Sequence, residues 1–579
     1  MKTEPSFLSA SQAETVTDSR ERILSEDYVS LIYRYLTSIQ QLELTLPNFL
    51  PQAASGHYAI LNAPLKDFPP DITALGYFTI PKLLTLQDTL SLEASGILQV
   101  QTQPFLNLKG KGTLIGFIDT GITYTHPAFR NPDGTTRILG IWDQTIQSGT
   151  PPLGFLYGSE YSKEQIDQAL LSVDSTDIVP SVDENGHGTA LAGIAAGGVN
   201  EGAHFSGAAP QASLLVVKLK PAKKYLREFY LIEEDAVAFQ EDDCMLAIRY
   251  LYQKARSLQM PLVICFGLGT NQGGHDGKAP LDDMISSITT APGNYAITAA
   301  GNEAGKGHHY FGKMNRSGDS ADVEVLIDGD TKGFTMELWA FAPDLFALGV
   351  TSPLGETIQP VEPRPGASQN TSFLLEPSSI SIYYEIIELR SGSQLILVRL
   401  VNPSPGVWRF RILNKRYLTG IYHIWLPITG FIAPFVRFLN PDPDTTLVAP
   451  SNNEEVITVS TYQTFNNSLY LNSSRGFTRD DHIKPDIAAP GVNVLAPDLK
   501  FGYRTFTGSS AASALTAGAV SLLVQWSLEK GMGKLLSSEE IKNLLYRGAV
   551  RSDLLYYPNK EWGYGMLNIY GIFESLLGF

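Results

Sequence analysis

The sequence predicts an α/β fold in which helices flank a parallel sheet, with a small α/β module before it and an all-β domain inserted within it. From GAAPQASLLVVKLK to PLVICFGLG, the chain runs strand, amphipathic helix, strand, which is typical of parallel sheets covered by helices. Residues 311–449 contain many short strand-like segments separated by Gly, Pro, Asn and Ser, the pattern of a β-sandwich or jelly roll.

Size and charge limit the function classes. A chain of 579 residues, 43% of them hydrophobic, can bury several cores, so two or three domains are expected. Its formal net charge of −16 argues against a nucleic-acid partner, which requires a basic face. The N-terminus has no apolar core of signal-peptide length, and no run of about eighteen apolar residues occurs. We therefore expect a protein made in the cytoplasm without a signal peptide and without a membrane partner.

The two cysteines, Cys244 and Cys265, are too few for a disulfide framework. Cys265 lies in an apolar run and is expected to be a buried, inert thiol.

The N-terminal module begins with a segment that favours a helix. Residues 26–44, EDYVSLIYRYLTSIQQLEL, carry apolar residues at helical spacing. The pieces GHYAILNAPL and ALGYFTIPKLLTL then alternate strand-like and helix-like patterns through about Leu86.

Four polar side chains stand where predicted strands end or helices begin. Asp119 ends an apolar strand, the position where open α/β sheets place their chemistry, and His187 begins a small-residue helix. Asn302 follows a short strand, and its amide can donate to an oxyanion. Ser510 lies where a tight turn enters an apolar helix, with backbone N–H groups able to face an oxyanion. Alone, each also suits a structural role: a helix cap for Ser510, a turn former for Asp119 and a packed histidine for His187.

The order Asp, His, Ser is that of the subtilisin arrangement. The segments FIDTGI, GHGTALAGIAAG, AAGNEAG, KPDIAAPG and TGSSAASALTAG resemble, in this order, the signature blocks of subtilisin-like serine proteases. The resemblance implies a subtilisin-like fold in which His187 takes the proton of Ser510 and Asp119 orients the imidazole. It also implies that Asn302 and the backbone N–H of Ser510 form the oxyanion hole.

Two positions depart from the family pattern. Ala190 stands where a His usually follows GHGT, and Ala514 stands where a Pro usually follows the nucleophile. Neither change removes a proton-transfer group, so we interpret them as subfamily variation. A catalytically idle scaffold with a signalling role and a binding protein whose β-domain captures a ligand remain as alternatives. The complete set of four residues favours the enzyme over both.

The resemblance also implies a substrate cleft. The strand matched by CFGLGTNQGG pairs with the substrate backbone in this family, so Gly267, Leu268 and Gly269 would form one side of the P1 pocket. Ala300 and Gly301 would form the other side. Glycines there allow close approach of a peptide, although plain turn formers explain them equally well in isolation.

A small module ahead of the catalytic domain is where this family carries its propeptide, a folding chaperone and inhibitor; an unrelated N-terminal domain is the alternative. Self-cleavage is expected within Leu83 to Leu92, between Gln87 and Asp88. The predicted division is a tail and propeptide at 1–87, a first catalytic part at 88–310, the β-domain at 311–449 and a second catalytic part at 450–579.

Two further blocks indicate the subfamily. HPAFRNPDGTTRILGIWDQT and TNQGGHDG resemble the Csp germination proteases of spore-forming anaerobes, which cut the proform of a spore cortex hydrolase. The resemblance implies that role, a spore-associated location, a protein or peptide substrate, and the chain's own propeptide as its inhibitor. We expect the chain to act as a monomer.

The sequence says less about the role of the inserted β-domain and about calcium binding. The β-domain could bind carbohydrate or a partner, but no aromatic cluster or ligand motif stands out in it, which favours a clamp that rigidifies the protease. No cofactor is expected. Many subtilisins bind calcium, but no such site is identifiable here, and we interpret scattered pairs such as Asp242-Asp243 and Asp480-Asp481 as solvated faces.

Overall fold

The structure is a computed structural model that describes residues 19–36, 38–67, 76–86, 92, 94–530 and 533–577. Its N-terminal module comprises strand β1 (Tyr28–Arg34), helix α1 (Ile39–Thr45) and strands β2 (Gln52–Ala53), β3 (Tyr58–Pro64) and β4 (Leu83–Leu86). Strands β1, β3 and β2 form an antiparallel sheet, in that order.

The helix expected over residues 26–44 is wrong in its first half. Residues Tyr28–Arg34 form a strand that pairs along its whole length with β3, and only the shorter α1 is helical. The run YVSLIYR is rich in β-branched and aromatic residues, so once a partner strand is present its β preference overrides the helical spacing.

The first part of the parallel-sheet domain alternates strands and helices. Its elements are α2 (Ile97–Thr102), β5 (Leu114–Asp119), β6 (Ile138–Asp143), β7 (Ser159–Ser162), α3 (Lys163–Leu171), α4 (His187–Ala196), β8 (Ser213–Lys218), α5 (Lys224–Phe229), β9 (Phe239–Gln240), α6 (Glu241–Leu258), β10 (Leu262–Phe266), β11 (Leu268–Gly269), α7 (Pro280–Thr289) and β12 (Asn294–Ala299).

The next eleven strands form two antiparallel sheets, which we call the β insert (residues 309–438). They are β13 (His309–Lys313), β14 (Ser320–Ile327), β15 (Gly333–Ala340), β16 (Leu345–Thr351), β17 (Thr357–Ile358), β18 (Ser368–Ser372), β19 (Ser379–Glu385), β20 (Gln394–Val401), β21 (Gly406–Arg416), β22 (Ile421–Trp425) and β23 (Val436–Phe438). One sheet has the order β13-β22-β15-β20-β19-β18 and the other β17-β16-β21-β14-β23. Apolar side chains from both sheets share one core, as in a β-sandwich.

The chain then returns to the parallel sheet. The remaining elements are β24 (Ile457–Gln463), β25 (Ser468–Leu469), β26 (Ile487–Pro490), β27 (Val492–Pro497), β28 (Tyr503–Thr507), α8 (Ser509–Glu529), α9 (Ser538–Gly548) and α10 (Ile569–Leu577). The sheet runs β25-β24-β12-β10-β5-β8-β6-β7, with β26 beside β24. Among the strands described for this sheet, only β25 and β7 are antiparallel to their neighbours. This arrangement confirms the predicted fold class.

Alternate residues of β5 face two separate cores. Ile115 and Phe117 pack with side chains of α4 and α8, whereas Leu114 and Ile118 pack with side chains of α6 and α7. A strand buried on both faces reads as a continuous apolar run, which explains the sequence of β5. Cys244 and Cys265 are buried and unpaired with each other, and burial raises the pKa of both thiols.

Helix α8 has the length and apolar composition that could cross a membrane, and it is the one such helix in the part of the chain that the structure describes. In its most apolar window, 89% is buried inside the protein. Its apolar character is therefore that of a core helix.

Candidate active site

Asp119 is the last residue of β5, at the carboxyl edge of the parallel sheet. It is 1% exposed, and its Oδ1 accepts a hydrogen bond of 2.8 Å from the backbone N–H of Thr120. Helix α4 approaches this carboxylate closely because Gly188 has no side chain. A Cβ there would lie 2.2 Å from the carbonyl oxygen of Gly121 and 3.1 Å from Cβ of Asp119. Close packing of α4 against Asp119 and Gly121 therefore requires a glycine at position 188.

His187 opens α4 and lies between Asp119 and Ser510. Its Nδ1 is 2.8 Å and 2.9 Å from the two carboxylate oxygens of Asp119, and its Nε2 is 3.1 Å from Oγ of Ser510. A carboxylate only accepts, so Nδ1 carries a proton and Nε2 is left to accept the hydroxyl proton of Ser510. All three side chains are buried. The arrangement can therefore move a proton from the serine to the imidazole.

Ser510 is the second residue of α8, and the first turn of this helix is fastened to Asn302. The backbone N–H of Ser509 donates 3.1 Å to Oδ1 of Asn302, and the hydroxyl of Ser509 accepts 3.1 Å from the N–H of Gly301. The first bond places the Oδ1 end of the Asn302 amide toward α8, because a backbone N–H needs an oxygen to accept it. A helix N-terminus also presents backbone N–H groups and the positive end of the helix dipole.

The predicted cleft residues lie next to this site, but they also pack against other residues. A Cβ on Gly267 would lie 2.5 Å from Cδ1 of Leu191 and 3.2 Å from Cβ of Ser510. A Cβ on Gly269 or on Gly301 would lie 2.3 Å and 2.7 Å, respectively, from methyl carbons of Val448. Val448, which the sequence reasoning missed, thus lies between the two predicted walls. Its N–H donates 3.0 Å to the carbonyl of Ala300.

The other wall residue, Leu268, belongs to β11, and this short strand is already paired. Strand β4 lies between β11 and β9, with Leu86 opposite Leu268 and Leu83 opposite Gln240. The chain's own N-terminal segment therefore occupies the edge at which a peptide could add. Gln87 and Asp88, the predicted cleavage site, lie outside the described residues.

The sequence reasoning also missed a buried ion pair beside Asn302. Nδ1 of His308 lies 2.7 Å from Oε2 of Glu303, and the backbone N–H of Thr429 donates 3.2 Å to Oε1. Burial favours the neutral carboxyl, but the bonds and charge of these partners outweigh it and hold the pKa of Glu303 below its usual value. The GNEAGKGHH stretch carries both residues, but their pairing depends on the turn between them.

Asp242 and Asp243 are not the solvated face that the sequence suggested. Both are buried in the first turn of α6, and Oδ2 of Asp243 lies 2.6 Å from Nζ of Lys220. Burial and the neighbouring Asp243 raise the pKa of Asp242. Within the described ranges, no group of three or more His, Cys, Asp or Glu residues could hold a metal ion.

Aromatic rings cluster where the β insert meets the parallel-sheet domain, although no cluster stood out in the sequence. Trp425 stacks on His275 at 4.0 Å between ring centroids, on His309 at 4.9 Å and on His423 at 5.3 Å. All four rings are buried. They therefore join two parts of the fold and do not form an open ligand face.

Comparison with known proteins gives a consistent result. Residues 110–334 and 439–571 match the model of the subtilase family, peptidase S8. The solved structure of the Clostridium perfringens CspB protease resembles this chain with a TM-score of 0.75 and 30% sequence identity, over 84% of this chain and 99% of that one.

Curated relatives match with lower identity or over shorter stretches. The C5a peptidase of Streptococcus pyogenes serotype M6 is 24% identical over 455 residues, which is 73% of this chain but 35% of the relative. The minor extracellular protease Vpr of Bacillus subtilis is 38% identical over 111 residues, 17% of this chain and 12% of the relative. The chain thus spans about a third of the length of the C5a peptidases it matches.

Proposed function

The chain belongs to the subtilase family, and on that premise we propose that it is a serine endopeptidase whose triad is Asp119, His187 and Ser510. The observation that carries the proposal is the continuous hydrogen-bonded path from the carboxylate through both imidazole nitrogens to the serine hydroxyl. A serine hydroxyl is a weak nucleophile at neutral pH, so it needs such an adjacent base.

In the proposed reaction, Oγ of Ser510 attacks the peptide carbonyl while Nε2 of His187 takes its proton. Asp119 holds the imidazole in the required tautomer and stabilises its cation. The oxyanion of the tetrahedral intermediate is stabilised by the Asn302 amide and the backbone N–H of Ser510. When the C–N bond breaks, His187 protonates the leaving amine, and water then hydrolyses the acyl-enzyme by the same steps.

The two departures from the family pattern fit an active site. Ala190 lies in α4 and Ala514 in α8, and both are fully buried in the core between these helices. Both positions therefore serve packing, and neither interrupts the path from Asp119 to Ser510.

We propose further that the N-terminal module is a propeptide that the enzyme cuts itself. Strand β4 ends at Leu86 and pairs with β9 and β11 as a bound peptide would, which supports cleavage just beyond it, after Gln87. Before cleavage, β4 would exclude other substrates. The division of the chain at residues 87, 310 and 449 remains part of this proposal.

The β insert is proposed to act as a clamp that rigidifies the protease, and it also packs against the N-terminal module. Tyr77 of the module stacks edge-on against Trp339 at 5.5 Å, and its hydroxyl bonds the buried carboxylate of Glu337. Side chains of the module, of α5 and of the insert share one apolar core. These contacts favour a packing role over capture of carbohydrate or a partner.

The test is intact-protein mass spectrometry of the purified chain beside Ser510→Ala, with Ser521→Ala as a matched control. Ser521 is another buried serine of α8, and its hydroxyl bonds only the helix carbonyl of Ala517 among the bonds described. We expect the wild type and the control to split between Leu83 and Leu92, and Ser510→Ala to stay whole. If all three stay whole, the idle scaffold becomes the better reading.

The physiological role is a finer proposal. Similarity to the CspB protease supports a spore-associated monomer that activates a spore cortex hydrolase by cutting its proform. The test is to mix the processed enzyme with that proform and look for one cut that Ser510→Ala does not make. If the protein cleaves itself but leaves the proform whole, the proposed protease activity stands and the proposed role in germination is refuted.

A further inference from the structure

A cavity of about 630 Å³ lies at the end of the parallel sheet opposite the candidate active site. Asp119 ends β5 at the active site, whereas Lys109 and Lys111 precede the start of this strand. Arg137, just before β6, and Arg130 complete the charged part of the cavity wall. The cavity is therefore separate from the cleft.

The charge of this cavity contrasts with that of the protein. The chain has a formal net charge of −16, yet four cationic side chains and no Asp or Glu line the cavity. Throughout the described part of the chain, none of the four forms an ion pair with a carboxylate within 4.0 Å. Bringing cations together without counter-charge is unfavourable, so the fold maintains a site of positive potential here.

Arg137 is the buried member of the set, 7% exposed. Its Nη1 donates 2.8 Å to the carbonyl of Ala212, and its Nη2 donates 2.6 Å to each of the carbonyls of Ala128 and Ala196. Ala196 is the last residue of α4, so Arg137 also offsets the negative end of that helix dipole. Burial lowers the pKa of Arg137 to about 10.

These bonds satisfy Nη1 and Nη2 of Arg137 but not its Nε. Nε of Arg137 is buried and has no hydrogen-bond partner, and Nε of Arg130 is in the same state. Buried N–H donors of a charged group are costly when unsatisfied. Capping α4 thus accounts for the position of Arg137. Nη2 of Arg130 donates 2.6 Å to the carbonyl of Thr125, so Lys109 and Lys111 are the cations of the wall that these contacts leave unexplained.

We propose that this cavity binds a small, multiply charged anion of phosphate chemistry. A planar guanidinium suits the paired oxygens of a phosphate, and lysine ammonium groups supply charge without fixed direction. The volume is that of a small-molecule site, which leaves room for a group larger than one inorganic phosphate.

The test is isothermal titration calorimetry on the full chain carrying Ser510→Ala, with inorganic phosphate, pyrophosphate and citrate titrated at constant ionic strength. We expect saturable binding of one equivalent of phosphate or pyrophosphate. Arg130→Gln should weaken it by about tenfold or more, because it removes a charged hydrogen-bond donor. Lys111→Gln should weaken it in the same direction, and being exposed it tests the site even if Arg130→Gln fails to fold.

Lys313→Gln is the charge-matched control, since Lys313 is exposed on the β insert, in a different part of the fold. It should bind as the parent does. Absence of saturable heat with phosphate and pyrophosphate would overturn the proposal, as would equal affinity in the parent, Arg130→Gln and Lys111→Gln. Binding of citrate alone would overturn the phosphate chemistry.

Discussion

Replacing His309 by glutamine should make the protein less sensitive to acid. His309 is 2% exposed at the join between the β insert and the parallel-sheet domain. Its Nδ1 lies 3.1 Å from the carbonyl oxygen of Asp442 and its Nε2 3.0 Å from Nδ1 of His423. A neutral ring satisfies both bonds, donating from Nδ1 and accepting at Nε2 from the N–H of His423.

The surroundings oppose a charge on this ring more than they favour it. Burial lowers the pKa of His309 from 6.5 to about 4, against smaller opposing contributions from Asp442 and Asp444. Burial likewise lowers the pKa of His423, and the charges of His309, Arg479, His275 and Lys560 add to the effect.

The sign and size follow from proton linkage. Below pH 6.5 the unfolded chain binds a proton at His309 that the folded chain does not, so stability is complete above about pH 6.5 and falls as the pH drops toward 4. The fall in the pKa of His309 from 6.5 to about 4 corresponds to about 3 kcal/mol of unfolding free energy, most of it lost by about pH 4.5.

The assay is urea unfolding from about pH 7 to about pH 4.5, followed by tryptophan fluorescence in the Ser510→Ala background. His309→Gln should lose about 2 kcal/mol less than the parent over this range, whatever its stability at neutral pH. His57→Gln, at an exposed histidine of the N-terminal module, should behave as the parent. Parallel pH dependence in the parent and His309→Gln would refute the neutral buried ring.

Three further predictions concern the candidate active site, with the rate of self-cleavage as the measurement. Asp119→Asn should slow it about 10⁴-fold with the fold intact, as the same change does in the trypsin-type triad, and a loss below tenfold would contradict the orienting role. Asn302→Ala should slow it about 10²–10³-fold, the range known for the corresponding Asn of subtilisin, and an unchanged rate would remove Asn302 from the oxyanion hole. Gly267→Ala should cost about 1–3 kcal/mol of stability and slow cleavage, because its Cβ would lie 2.5 Å from Cδ1 of Leu191 and 3.2 Å from Cβ of Ser510. A stable, fully active variant would show that the neighbouring side chains can move to accommodate the methyl group.

The sequence predicted the parts of the fold that local patterns determine. Strand β5 and helix α8 are buried on every side, so their apolar runs could be recognised without knowing their neighbours. The strand at Tyr28–Arg34 could not be recognised from its sequence. The run fits the helical and the strand periodicity equally well, and its pairing with β3 decides between them.

The same limit applies to the candidate site. Asp119, His187, Asn302 and Ser510 were identified because each lies in a distinctive short block. Val448 was not, since its contact with Gly269 and Gly301 depends on how the chain returns after the β insert. Charged pairs far apart in sequence, such as Lys220 with Asp243, leave no local pattern.

The points where the β insert joins the chain suggest that its packing affects the cleft. It begins at His309, shortly after Asn302, and the returning chain runs through Val448 against both predicted walls. The next residue, Ala449, exchanges two backbone hydrogen bonds with Thr270, at 2.9 Å and 3.1 Å, directly after β11. Because both connections adjoin the candidate cleft, loosening the insert would shift β11 and the Asn302 loop together.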